Sequence, residues 1–194
     1  GMSGKRVLAL YGSPKRDGPT GAMLDAFCKG LAADTRVEVF DAFARPVRPC
    51  TGCGGCERNG SCVVRDGMDE VYRAMEEADG LVIATPVYNL SFPAPLKAVV
   101  DRMQCYWSRR FVLGLRPAVK RPKAGALLFT AGSVDKSGGD ILERQTRLLM
   151  SVLNCRLTAC VPFLGTDLPD RALRREPALA AGRRAGGQFS VLRT

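Results

Sequence analysis

Histidine is absent from this chain of 194 residues. Its absence excludes Ser-His-Asp and Cys-His catalytic groups, zinc sites of the His-Glu-x-x-His type and any proton relay through imidazole. Acidic side chains are also scarce: 19 stand against 29 lysines and arginines, which gives a net charge of +10. An excess of this size favours anionic partners such as nucleic acid, an anionic membrane or phosphorylated small molecules, and the alternative is an ordinary solvated basic face.

Long apolar segments are missing as well. No run approaches the roughly 20 residues that a membrane-spanning helix requires, so we expect no membrane partner. The first apolar run, residues 7–11, is too short for the core of a signal peptide, and no small-residue cleavage site follows it. We therefore expect a cytoplasmic protein. The length suits one domain with a full core, which we assign to residues 1–194.

Short apolar segments alternate with helical patterns along the chain. The apolar runs predict five strands, at residues 5–11, 36–40, 80–85, 124–129 and 156–163. Spacings of three and four residues predict helices from residue 19, at 68–77, 93–105 and 140–153, and from 169 to 185. This alternation predicts an α/β fold in which a five-stranded parallel sheet lies between two layers of helices. Ligands of such sheets bind beyond the carboxyl ends of the strands, so we examine the loops after strands one, three and four.

The loop after the first strand has the composition of an anion site. It leads from a strand into a helix, whose first N–H groups and dipole attract negative charge. Two hydroxyls, two cations and one glycine are the candidate contacts: Ser13, Thr20, Lys15, Arg16 and Gly18. The loop matches neither the dinucleotide fingerprint nor the P-loop. An ordinary turn without a ligand is the alternative.

Four of the eight cysteines lie in a loop rich in proline and glycine at residues 46–66. They are Cys50, Cys53, Cys56 and Cys62. In a chain without an export signal, such a group indicates metal binding or redox chemistry rather than disulfides. Three thiolates at this spacing can each reach one iron of a cubane cluster, and structural zinc more often uses two separated Cys-x-x-Cys pairs. The spacing favours a [4Fe–4S] cluster, and zinc or metal-free thiols are the alternatives.

Three motifs occur here in the order in which one family carries them. In chain order they are Gly12-Ser13-Pro14 with Thr20, the cysteine run at 50–62, and residues 84–89 with a Leu-Lys-Ala…Asp-Arg segment at 95–102. In these motifs the chain resembles the NADPH-dependent FMN reductases and their relatives, the iron–sulfur flavoproteins, which have a flavodoxin-like fold. The resemblance covers residues 5–105, about half the chain. It departs at Pro19, where the family usually has an asparagine that contacts the phosphate.

The resemblance implies an FMN cofactor whose phosphate lies on the loop from Ser13 to Thr20. The contacts that it implies for the isoalloxazine and ribityl groups are Pro86, Val87, Tyr88 and Asn89. The loop after the fourth strand is expected at the other edge of the ring, with Thr130, Ala131 and Gly132. For Tyr88 the alternative is an ordinary half-buried aromatic residue. No catalytic acid or base is expected, because hydride passes from a nicotinamide to the flavin.

The expected function is that of an FMN-dependent oxidoreductase. NAD(P)H or a redox protein would supply electrons, and the acceptor would be a flavin, a quinone, an iron–sulfur centre or a protein. A flavodoxin-type electron carrier without reductase activity is the alternative, although such carriers commonly present an acidic surface. A nucleic-acid partner is not expected, because basic and aromatic residues do not interleave.

One apolar group has no place in the predicted elements and predicts a homodimer or homotetramer through an exposed patch. It comprises Tyr106, Trp107, Phe111, Val112 and Leu113. The remaining cysteines are expected to be small buried hydrophobic residues. They are Cys28, Cys105, Cys155 and Cys160.

Overall fold

Five parallel strands form a single sheet in the computed structural model, which describes residues 4–191. The strands are β1 (Arg6–Tyr11), β2 (Arg36–Asp41), β3 (Gly80–Pro86), β4 (Lys123–Ala131) and β5 (Cys155–Leu164). Their order in the sheet is β2-β1-β3-β4-β5. This order places β1 and β3 side by side at the point where the chain reverses its direction across the sheet. The expected α/β, flavodoxin-like fold class is confirmed.

Helices cover both faces of this sheet. They are α1 (Pro19–Gly30), α2 (Met68–Glu77), α3 (Ala94–Asp101), α4 (Gln104–Phe111), α5 (Ser137–Val152) and α6 (Arg171–Val191). The cysteine loop at 46–66 contains only one short 3₁₀ turn, Gly55–Glu57. Among the described helices, none combines the length and the apolar character needed to cross a membrane.

The side chains of β1 alternate between two hydrophobic cores. Val7, Ala9 and Tyr11 pack with α1 and α6 on one face of the sheet. Leu8 and Leu10 pack with α2, α3 and α5 on the other face. Because both faces are covered, β1 reads as a continuous apolar run rather than an alternating one. The strand therefore anchors both helical layers just before the loop that follows it.

The prediction of a single helix at residues 93–105 is wrong, because α3 and α4 are separated at Arg102 and Met103. The carbonyl of Arg102 accepts a hydrogen bond of 2.6 Å from the hydroxyl of Tyr72. The N–H of Tyr106, which would bond to that carbonyl in a continuous helix, donates to the carbonyl of Met103 instead. The break redirects the chain and buries the side chain of Arg102.

The apolar group expected on the surface divides into two parts. Tyr106 is fully buried, and its ring lies edge-on to Tyr72 at a centroid distance of 5.9 Å. Its assignment to an exposed patch is therefore wrong. Trp107, Phe111 and Val112 are 43%, 51% and 47% exposed and remain on the surface of α4 and the residue after it. Leu113 is half-buried, so these three residues are the part of the predicted group that remains exposed.

Helices α1 and α6 run parallel and approach each other closely through glycine. A Cβ atom at Gly186 would overlap the carbonyl oxygen of Phe27, and one at Gly30 would overlap the carbonyl oxygen of Arg183. Backbone atoms cannot move aside as the end of a flexible side chain can. The absence of side chains at Gly30 and Gly186 is therefore what permits this contact.

Gly186→Ala is expected to destabilise the protein by about 1–3 kcal/mol, because the new methyl group forces the two helices apart. Gly187→Ala is the matched control, since its nearest neighbour, the carbonyl oxygen of Gly30, lies at 3.7 Å. Alanine has the higher helix propensity, so this control should be neutral or more stable by up to about 1 kcal/mol. Urea unfolding measures both changes, and equal stabilities of the two variants would contradict the prediction.

Candidate functional site

A cavity of about 690 Å³ opens at the carboxyl edge of the sheet. It is formed by the loops after β1 and β3, the end of β4, and the segment between β5 and α6. Ten of the twelve residues predicted to bind the cofactor line it: Ser13, Lys15, Gly18, Thr20, Pro86, Val87, Tyr88, Thr130, Ala131 and Gly132. The three sequence segments that were predicted to bind the cofactor, at 13–20, 86–89 and 130–132, thus meet around one cavity.

The loop after β1 is held by its own side chains. The hydroxyl of Tyr11, on a buried ring, donates to the carbonyl of Lys15 at 2.7 Å. Burial raises the pKa of Tyr11 above its usual value, so the phenol remains protonated and can donate. The N–H of Lys15 donates to the Ser13 hydroxyl at 3.3 Å. These bonds shape the loop before any ligand is present.

The N-terminus of α1 lies at this cavity, and no side chain among residues 4–191 caps it. Gly18 occupies the N-cap position and Pro19 the first position of the helix. The first N–H groups of a helix have no partner within it and can bind an anion. A Cβ atom at Gly21 would overlap the carbonyl oxygen of Arg16, so the loop lies directly against the first turn. The geometry provides a cradle suited to a phosphate group.

Two predicted contacts do not line the cavity. Arg16 pairs with Asp25 at 2.9 Å, and its guanidinium lies 5.1 Å from the centre of the Tyr11 ring. Asn89 is exposed at the tip of a tight turn that is closed by two hydrogen bonds of 2.9 Å between Tyr88 and Ser91. That turn places Asn89 at a φ of 48°, a left-handed conformation that asparagine tolerates.

Hydrogen bonds connect the three loops around the cavity. The hydroxyls of Thr20 and Thr130 lie 3.0 Å apart and are both buried. The N–H of Val87 donates to the carbonyl of Thr130 at 2.8 Å. Thr130 therefore joins the helix after β1 to the loop after β3. These two bonds fix the positions of the three segments relative to one another.

A fourth segment of the cavity was missed in the sequence. After β5 and at the start of α6 it contributes Thr166, Asp167, Arg171 and Arg175. The N–H of Thr166 donates to the carbonyl of Ala131, and that of Asp167 to the carbonyl of Gly132, each at 3.1 Å. The predicted parallel direction of β5 could have revealed this segment, because all parallel strands end at the same edge.

The cysteine loop forms one wall of a second cavity, of about 710 Å³, against α3, α4 and α5. All four predicted metal ligands line it: Cys50, Cys53, Cys56 and Cys62. Cys105 lines it too, and burial raises the pKa of its thiol to about 11. Within residues 4–191, however, no three cysteine or acidic side chains lie close enough together to hold a metal ion. The loop brings the four thiols to one cavity but not into a coordination sphere.

Arg102 attaches this loop to the body of the protein. Its guanidinium donates to the carboxylate of Asp66 at 2.8 and 3.0 Å and to the carbonyl of Arg48 at 2.8 Å. The two side chains of this ion pair are only 1% and 16% exposed. The guanidinium lowers the pKa of Asp66 to about 2. Among the described residues, the Nε atom of Arg102 is buried without a hydrogen-bond partner.

Asp66→Asn is expected to destabilise the protein by about 3 kcal/mol, because it leaves the buried charge of Arg102 unpaired. The carboxylate stabilises the fold above its unfolded pKa of 3.8, and this contribution is lost as the pH falls towards 2. Across that interval the free energy of unfolding of the wild type should therefore fall by about 2 kcal/mol more than that of Asp66→Asn.

Asp69→Asn is the control, since Asp69 forms an exposed pair with Arg65 that should contribute less than about 1 kcal/mol. Urea unfolding at a series of pH values between 2 and 5 measures both effects. Parallel pH profiles for the wild type and Asp66→Asn would contradict the assignment.

Comparison with known proteins identifies relatives of this chain. Iron-sulfur flavoproteins from Archaeoglobus fulgidus and Methanosarcina thermophila are 38% and 36% identical to it over 128 and 139 residues. These alignments cover 66% and 69% of this chain. They cover 55% and 66% of the two relatives, so the chain spans between half and two thirds of their length.

Among solved structures, the NAD(P)H:quinone oxidoreductase from Methanothermobacter marburgensis has the same fold. It matches with a TM-score of 0.73 over 98% of both chains, at 23% identity. The family model described as NADPH-dependent FMN reductase matches residues 5–163. Because that match includes most of the chain and both of the loops that resemble flavin-binding loops, this chain belongs to the NADPH-dependent FMN reductase family.

Proposed function

We propose that this chain binds FMN in the cavity at the carboxyl edge and acts as an oxidoreductase that passes electrons from NAD(P)H to a small-molecule acceptor. The observation that carries the proposal is the convergence of the loops after β1 and β3 and the end of β4 on one cavity. The uncapped N-terminus of α1 and the hydroxyl of Ser13 suit a phosphate. FMN bound there would supply hydride transfer.

The remaining contacts divide into two groups by chemistry. Lys15 and Thr20 would neutralise and hydrogen-bond the phosphate, and the N–H groups of the first turn of α1 would add to them. Pro86, Val87 and Tyr88 would form an apolar wall for the isoalloxazine. Val87 and Tyr88 direct their N–H groups to backbone carbonyls, so this wall would act by shape more than by hydrogen bonds.

A quinone or a free flavin is the acceptor that the cavity favours. The Tyr88 side chain is 44% exposed at its edge, so a flat molecule can approach a bound flavin from solvent. The solved quinone oxidoreductase of the same fold supports this class of acceptor. An electron carrier of flavodoxin type is the second candidate, and reduction of the bound flavin by NADPH without a redox protein distinguishes the two.

We also propose that Cys50, Cys53, Cys56 and Cys62 ligate a [4Fe–4S] cluster, which would supply one-electron transfer. The two relatives named iron-sulfur flavoproteins support this. The donor chemistry fits, since the four thiols that would ligate the cluster all line one cavity. Ligation requires the loop to draw its thiols closer together than they lie in this structure.

We further propose a homodimer or homotetramer in the cytoplasm. Trp107, Phe111 and Val112 form an exposed apolar group on one side of α4, and such groups favour a protein contact. All eight cysteines lie in the described part of the chain and carry free thiols, a state that the reducing cytoplasm maintains.

Replacing Ser13 and Thr20 together by alanine is expected to raise the Kd for FMN at least about tenfold, because each hydrogen bond to a charged phosphate contributes about 1.5–3 kcal/mol. Thr158→Ala is the control, since it removes a β5 hydroxyl that bonds to the carbonyl of Gly125 outside this cavity. Fluorescence titration of the apoprotein measures the affinities. Unchanged affinity in the double variant would place the phosphate elsewhere.

Cys56→Ala is expected to abolish bound iron and acid-labile sulfide while FMN remains bound, because the cysteine loop and the flavin cavity are separate. Cys160→Ala is the thiol control, since Cys160 lies on β5 and outside the cysteine-lined cavity. Iron and sulfide assays on anaerobically purified and reconstituted protein provide the measurement. If the wild-type protein contains neither iron nor acid-labile sulfide, the correct interpretation is that the four thiols are metal-free.

A further inference from the structure

We infer that Arg171 and Arg175 form a second phosphate-binding element of the carboxyl-edge cavity, contributed by α6 rather than by the loop after β1. The inference rests on the proposed function, since it concerns the cavity proposed for FMN. Its ligand is a phosphate monoester dianion. Two such groups are available in the proposed reaction, the 5′-phosphate of FMN and the 2′-phosphate of NADPH.

The first observation is the pairing of the arginines around the cavity. Arg171 and Arg175 both line it, and neither forms an ion pair or a side-chain hydrogen bond with any residue between 4 and 191. Arg174, between them, donates to the carboxylate of Asp170 at 3.0 Å and does not line the cavity. Of these three arginines, the two that line the cavity are therefore the two whose charge has no partner among residues 4–191.

The second observation is a shortage of positive charge on the loop after β1. Arg16 is paired with Asp25 and does not line the cavity, which leaves Lys15 as the cation that this loop contributes to the lining. Asp167, also on the lining, opposes an anion. A phosphate monoester carries close to two negative charges at neutral pH. The charges of Lys15 and Asp167 cancel, so these two residues alone would leave the phosphate charge uncompensated. The two guanidinium groups supply two positive charges.

The third observation concerns position. Arg171 and Arg175 are four residues apart in the first two turns of α6, so their side chains share one face of the helix. The parallel packing of α6 against α1 brings the N-termini of both helices to the same end of the molecule. The cavity lining accordingly includes the first residues of both helices. A guanidinium can hold a phosphate through two parallel N–H···O bonds.

The test compares ligands that differ only in the phosphate. Kd is measured for FMN and riboflavin on the apoprotein, and for NADP⁺ and NAD⁺ on the FMN-loaded protein. The variants are Arg171→Ala/Arg175→Ala, the charge-preserving Arg171→Lys/Arg175→Lys, and Arg174→Ala as the matched control. Circular dichroism verifies that each variant is folded, which is expected because both arginines are exposed.

We expect the double alanine variant to lose at least about tenfold in affinity for one phosphorylated ligand, with its phosphate-free analogue unchanged. A selective loss for FMN over riboflavin identifies the 5′-phosphate as the ligand, and a selective loss for NADP⁺ over NAD⁺ identifies the 2′-phosphate. The lysine variant should retain part of the preference, and Arg174→Ala should retain all of it.

Two results would overturn the inference. One is an equal loss for phosphorylated and phosphate-free ligands, which indicates a structural role. The other is a double variant that matches Arg174→Ala in every affinity. If Ser13→Ala/Thr20→Ala lowers FMN affinity in either case, the proposed function stands and only the role of α6 is rejected. If that variant also keeps full FMN affinity, the cavity assignment itself is wrong.

Discussion

A buried guanidinium has to find its hydrogen-bond partners inside the protein, and the arrangement around Arg102 follows from this requirement. Its partners are the carboxylate of Asp66 and the carbonyls of Arg48 and Val64, so one side chain ties together the two ends of a loop that contains almost no regular structure. The same residue ends α3, because its carbonyl bonds to Tyr72. Arg102 thus contributes through two separate groups, its guanidinium to the cysteine loop and its carbonyl to the break between α3 and α4, and Arg109 adds a further bond to the loop at the carbonyl of Gly60.

The direction of the strands, rather than one buried side chain, positions the loops around the cavity at the carboxyl edge. All five strands run in the same direction, so every loop that follows a strand opens at one edge. Hydrogen bonds through Thr20, Thr130 and Val87 then hold these loops at set distances from one another. The two cavities share no residue of the described lining, although the cysteine loop also follows a strand. Helix α3 lies behind the loop after β3, and its residues Lys97 and Val100 line the cysteine side.

Much of this arrangement can be predicted from the sequence. Apolar runs identified all five strands, and the strand–loop–helix context identified the loop at Ser13. The predictions failed where a long-range contact overrides the local pattern. The apolar spacing from residue 93 to 105 is helical throughout, and nothing nearby in the sequence shows that Tyr72 captures the carbonyl of Arg102. Similarly, Arg16 has the right charge and position for a phosphate, and only the structure shows its pairing with Asp25.

The glycine contact between α1 and α6 has a consequence at the opposite end of those helices. From Gly186 to Arg175 the axis of α6 extends about 16 Å at 1.5 Å per residue, with Pro177 between them, so a tilt of only about 5° at the contact moves the first turns by more than about 1 Å even without a bend at the proline. Hydrogen bonds to a phosphate tolerate little more than that. The residues that set how closely two backbones approach thus also aim the charges at the mouth of the cavity. In the proposed function, Gly30 and Gly186 would thus influence ligand affinity although neither residue lines the cavity.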